Sequence, residues 1–162
     1  MVIIPMLDQH ATAVLDIYAQ GMRTGYATFE TIVPPWDKFD KKFLPHSRFV
    51  VMDKDKVAGW VGICPISPRE CYKGVAEISI FMDEDYRGRG LGKQLMMAII
   101  EESESNGIWT LQSLVHSDNL SSIHLHEILG FRVVGYRERI AQLNGVWKTN
   151  MLLERRSKNV GL

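Results

Sequence analysis

Apolar positions change period several times along the chain, and each change marks an element. Ile3 to Met6 reads as a short strand. Ala11, Val14, Leu15, Tyr18 and Met22 then recur three and four residues apart, which predicts a helix with Asp8 as its N-cap. Thr24 to Pro35 has no period and closes on Pro34-Pro35, a strong breaker. Trp36 to Phe43 predicts a short second helix. Arg48 to Met52 and Val57 to Ile63 read as a hairpin around the polar turn Asp53-Lys-Asp-Lys56. Pro65, Pro68 and Gly74 mark a loop before the β-prone run Val75 to Met82.

The second half repeats the alternation. Leu91, Leu95, Ala98 and Ile99 predict a helix to about Ser105, ended by Asn106-Gly107. Ile108 to Val115 reads as a strand, and Asn119 to Leu129 as a helix closed by Gly130. Phe131 to Ile140 and Val146 to Leu153 are strands around the turn Asn144-Gly145. The predicted order, β-α-α-β-β-β-α-β-α-β-β, implies an α/β (α+β) fold, a mixed sheet of about seven strands with helices on both faces. Nothing divides residues 1–162, so one domain is expected.

Charge and cysteine narrow the classes. Lys plus Arg equals Asp plus Glu at 19 each, which argues against a broad nucleic-acid face. No apolar run approaches the length of a membrane span. The start, Met1-Val-Ile-Ile-Pro-Met-Leu-Asp8, lacks a basic n-region, so a secretory signal is not expected. Cys64 and Cys71 form no disulfide framework, and a reducing cytoplasm is the expected location. No cysteine-histidine cluster has zinc spacing, so no metal is expected.

One stretch carries chemistry. Asp85-Tyr-Arg-Gly-Arg-Gly-Leu-Gly-Lys93 lies between a predicted strand and a predicted helix. The nucleotide P-loop pattern fails, because Arg87 and Gln94 stand where it needs glycine and Ser or Thr. The dinucleotide pattern fails at Lys93, where a third glycine would be needed. General physics remains. Gly88, Gly90 and Gly92 allow unusual backbone angles and close approach. The helix start offers free N–H groups to an anion, and Arg87, Arg89 and Lys93 add charge. A pyrophosphate fits these terms; a tight turn with solvated arginines is the plain alternative.

Arg87-x-x-Gly90-x-Gly92, after a strand and opening a helix, resembles the acetyl-CoA loop of the GNAT N-acetyltransferases. Asn119-x-x-Ser-x-x-x-His126-x-x-x-Gly130-Phe131 resembles the second block of that family, and the element order is similar throughout. Ala27-Thr-Phe-Glu30, Ala76-Glu-Ile-Ser-Ile-Phe-Met82, Ser122-Ile-His-Leu-His-Glu127 and Gly145-Val-Trp147 are similar to the phosphinothricin and methionine sulfoximine acetyltransferases. Leu143 and Thr149 depart from that type, where many members carry lysine and aspartate.

The resemblance implies acetyl transfer from acetyl-CoA to the primary amine of a small amino-acid-like acceptor. It implies a loop of Arg87, Gly88, Arg89, Gly90, Leu91, Gly92 and Lys93 around the pyrophosphate. Backbone groups of Ile80, Phe81 and Met82 would meet the pantetheine arm, with Met82 N–H as the oxyanion donor. The Asn119 side chain would meet that arm too, beside its bland reading as an N-cap.

Glu77 is the candidate base, a carboxylate in an otherwise apolar strand that is costly unless paired or facing a cleft. His126 is the second catalytic candidate, as acid or base. Phe29 and Glu30 would cover the acceptor, while Arg69 and Tyr72 would line its site, Arg69 gripping a carboxylate. A homodimer is implied by resemblance alone. Peptide N-terminal acetylation and a non-catalytic acyl-CoA-binding domain are the competing readings; Glu77 and His126 together speak against the latter.

Overall fold

The computed structural model describes all residues, Met1–Leu162. The chain runs β1 (Val2–Pro5), α1 (Ala11–Arg23), α2 (Trp36–Lys42), β2 (Arg48–Asp53), β3 (Lys56–Pro65) and β4 (Val75–Met82). It continues through α3 (Leu91–Ser105), β5 (Thr110–His116), α4 (Leu120–Glu127), β6 (Arg132–Leu143) and β7 (Val146–Arg156). The seven strands form one sheet in the order β1-β2-β3-β4-β5-β7-β6. All neighbours are antiparallel except β4 and β5, which are parallel. The expected mixed sheet with helices on both faces is the observed architecture.

Strand alternation builds two cores. On one face Ala76, Ile78, Ile80 and Met82 of β4 join Leu91, Leu95, Met96 and Ile99 of α3 and Ile123 of α4. On the other, Phe81 packs with Val14, Ile17 and Tyr18 of α1, Phe39 of α2, Phe43 and Trp60. Leu95 is fully buried, so Leu95→Ala would cost about 2–5 kcal/mol. Gly21 of α1 is required by close approach: a Cβ there would lie 2.5 Å from the Phe81 ring.

Three boundaries differ from expectation. Asp8 does not cap α1; a 3-10 turn over Asp8–His10 intervenes, and the Asp8 carboxylate accepts from the Trp36 indole at 2.9 Å. The last hairpin is longer than its pattern, because β6 and β7 stay paired through two register shifts. β5 runs one residue further, to His116, which puts a histidine on the strand.

Candidate active site

The parallel register of β4 and β5 lasts only from Val75 with Thr110 to Glu77 with Gln112. Beyond it the strands part, and a cleft of about 780 Å³ opens between them. Its lining includes Glu77 to Phe81, Ser113 to His116, Asn119, His126, Asn150 and the α1–α2 segment Tyr26 to Pro35.

Backbone parity decides which groups of β4 face the opening. The Gly74 carbonyl accepts from Trp109 and Thr110 on the β5 side, while Asp83 N–H donates to Ala58 on β3. The register with β3 is continuous from Ala76 to Met82. Alternation therefore turns the N–H and C=O of Ile78, Ile80 and Met82 toward the opening. Phe81 is a correction: its backbone groups point to β3. Its ring instead packs on Tyr18, at 5.1 Å between centroids, and on Trp60, at 5.0 Å.

Just past the C-terminal end of β4, outside the residues that line this cleft, the glycine turn leads into α3. Gly88 and Gly90 have φ of +74° and +76°, a region costly for any residue with a Cβ. Nothing lies within 4 Å of where a Cβ would stand at either position, so the backbone is bare on that side. Gly90 is the N-cap of α3 and supplies no side-chain cap. The first-turn N–H groups, including those of Leu91, Gly92 and Lys93, thus lack intrahelical partners. Arg87, Arg89 and Lys93 are exposed around them, Arg89 donating to the Asp85 carbonyl at 2.7 Å and lying over Tyr86. The chemistry is that of an anion cradle.

Where the β4–β5 pairing ends, half-buried Glu77 accepts from the Gln112 amide at 3.0 Å. Cys64 of β3 is its register partner. Burial pushes the Cys64 thiol up, the Glu77 carboxylate adds to this, and the Lys42 ammonium opposes it. Lys38 and Lys42 both line the cleft, one helical turn apart on α2, and neither is in an ion pair.

His126 is 1% exposed on α4. Its Nδ1 meets the Ser122 carbonyl at 2.7 Å. A carbonyl only accepts, so Nδ1 carries the proton. Burial lowers the imidazole pKa, with the Ser122 bond opposing, so the ring is neutral and Nε2 offers a lone pair. Nε2 has no partner in the chain. His124 is exposed on another face. Asn119 is the N-cap of α4, accepting from Ser122 N–H at 3.2 Å, and it also borders the cleft.

Phe29 and Glu30 lie in the lining. Arg69 and Tyr72 do not. Both are exposed on the β3–β4 loop, where the guanidinium sits 5.5 Å over the Tyr72 ring. Leu143 is buried beside a smaller cavity of about 310 Å³ shared with Arg23 and Glu30. Sequence reasoning passed over Lys38, Lys42, Gln112, His116 and Asn150. The i, i+4 spacing of the lysines was the available signal.

Comparison with known proteins gives a consistent picture. Residues 12–131 match the acetyltransferase (GNAT) family. The chain is 35% identical over 92 residues to the L-methionine sulfoximine/L-methionine sulfone acetyltransferase of Pseudomonas aeruginosa, a match covering 57% of this chain and 54% of that relative. It therefore spans about half the length of that protein. It is 30% identical over 156 residues to the phosphinothricin N-acetyltransferase of Alcaligenes faecalis, covering 91% of this chain and 78% of the relative. The solved structure of a phosphinothricin acetyltransferase from Sinorhizobium meliloti in complex with AcCoA superposes with a TM-score of 0.88 at 22% identity, over 96% of this chain and 87% of that one.

Proposed function

The chain belongs to the GNAT acetyltransferase family, and on that premise we propose that it transfers an acetyl group from acetyl-CoA to the primary amine of a small amino-acid-like acceptor. The observation that carries this reading is the parting of β4 and β5, an unpaired strand edge that leads from the glycine turn to Glu77.

The fit of acetyl-CoA rests on this chain's own groups. Gly88, Gly90 and the α3 first turn receive the pyrophosphate, with Arg87, Arg89 and Lys93 neutralising it. Ile80 and Met82 offer backbone bonds to the extended arm, as an edge strand does. An N–H from this edge serves as donor to the thioester oxygen. Acetyl-CoA supplies the activated acyl group.

The acceptor arrives as an ammonium and needs a base. Glu77 takes that role, held by Gln112. His126 acts as a proton acceptor through Nε2 rather than as an acid, because its neutral tautomer is fixed by Ser122. The anion grip expected of Arg69 passes to Lys38 and Lys42, which hold the acceptor carboxylate near Glu77. Phe29 and Glu30 cover the acceptor. The relatives' activities, on methionine sulfoximine, methionine sulfone and phosphinothricin, support an α-amino acid with a polar side chain. Release of free CoA across a panel of such acceptors tests this.

A homodimer and a cytoplasmic location complete the reading. β6 is one edge of the sheet, and Val134, Tyr136, Ile140, Val146 and Trp147 of the last hairpin are exposed, an apolar face suited to a second copy. Cys64 and Cys71 are free thiols, in keeping with a reducing compartment.

A further inference from the structure

His116 and Asn150 are register partners on β5 and β7. They are 3% and 5% exposed. Neither ring nitrogen of His116 has a partner, nor does the Asn150 carbonyl oxygen Oδ1. Three polar atoms on one cross-strand pair are thus unsatisfied, each at a cost of about 1–3 kcal/mol. Buried polar groups are nearly always bonded, so such a cluster asks for a ligand. Both residues line the cleft, and Phe29 of the covering segment lies on the imidazole at 4.4 Å between centroids.

Their chemistry narrows the ligand. Burial lowers the His116 pKa and the Lys148 ammonium adds to this, against Asp118, so the ring is a neutral donor and acceptor. Asn150 is likewise neutral. A buried, uncharged pair suits a neutral oxygen or nitrogen better than an ion. Their position suits one acceptor. His116 is four residues along β5 from Gln112, about 13 Å of strand. Lys42 lines the same cleft and acts to lower the thiol pKa of Cys64, the register partner of Glu77.

We propose that His116 and Asn150 form a subsite that hydrogen-bonds an uncharged polar group on the acceptor side chain, and so select amino acids carrying one. This rests on the amino-acid reading above. It makes the pair specificity determinants, separate from the proton transfer assigned to Glu77.

The test is kcat/KM for methionine, methionine sulfoxide and methionine sulfone, which share a skeleton and differ in side-chain oxygens. It compares wild type with His116→Phe, which keeps a ring on Phe29, and with His116→Gln, which keeps a donor and an acceptor. Acetyl-CoA affinity is measured alongside by calorimetry. Wild type should prefer the sulfone. His116→Phe should lose that preference by about tenfold, as expected for one lost hydrogen bond, with methionine turnover and acetyl-CoA affinity little changed. His116→Gln should restore part of it. The same preference in wild type and His116→Phe, a uniform fall across the three acceptors, or no wild-type preference overturns the proposal. Acetyl-CoA binding with no turnover of any amino acid overturns the acceptor reading, and this inference with it.

Discussion

The Gln112 amide donates to Glu77 at 3.0 Å across the last register pair of β4 and β5. The carboxylate is therefore fixed at the point where the sheet opens. A base needs such a position more than it needs a particular element. Glu77→Gln should lower kcat by about 10²-fold at neutral pH. The deficit should shrink at high pH, where the amine loses its proton unaided. A pH profile of kcat for both proteins checks this; wild-type turnover at pH 7 would remove Glu77 from the mechanism.

The glycine turn should fail through backbone angle rather than crowding. Gly90 sits at φ +76° with open space beside it. Gly90→Val cannot adopt that angle without a cost of about 1–2 kcal/mol. It should abolish acetyl-CoA binding in calorimetry while the far-ultraviolet circular dichroism stays native. Unchanged affinity in that folded variant would exclude the turn as the pyrophosphate site.

The two accounts of carboxylate binding separate cleanly. Lys42→Ala should raise the acceptor KM by about fivefold, with kcat less affected, because a partly solvated ammonium contributes modestly. Arg69→Ala, on the loop, should stay within about twofold. Steady-state kinetics on both variants decides between them, and a reversed order would return the grip to Arg69.

Stability should fall in acid for a definable reason. His10, His116 and His126 all have pKa values lowered below 6.5 by burial. The unfolded chain then binds protons that the folded chain refuses, so stability is full above about pH 6.5 and declines as pH falls through that value. Thermal melts across this range should show a falling Tm. His116→Gln should flatten the decline, and an identical slope would show that His116 does not contribute to it.

Much of this was legible in the sequence, for physical reasons. The glycine turn announces itself through residues that few other backbones need. The strand and helix order follows from apolar period, and the parallel pair follows from a helix set between two strands. The rest depends on tertiary pairing. Which backbone groups of Ile80, Phe81 and Met82 face the cleft is set by parity with β3, which no local pattern encodes. His116 stands in His-Ser-Asp-Asn, a stretch that reads as a turn, and becomes a buried strand residue only through its pairing with β7. Lys38 and Lys42 read as the exposed side of a short helix, which they are, and only the fold shows that this side borders the cleft. Arg69 has the right chemistry for a carboxylate, and only the fold shows that it lies exposed on the β3–β4 loop outside the cleft lining.

The central claim is acetyl transfer to a small α-amino acid, and the most direct measurement is product formation. The protein is incubated with acetyl-CoA and, separately, phosphinothricin, methionine sulfoximine, methionine sulfone, spermidine and an alanine-terminated peptide. Free CoA and the N-acetylated product are quantified together. Stoichiometric CoA and N-acetyl amino acid are expected with at least one of the three amino acids, and little product from the polyamine or peptide. Acetylation of the polyamine or the peptide, with none of the amino acids, would contradict that claim.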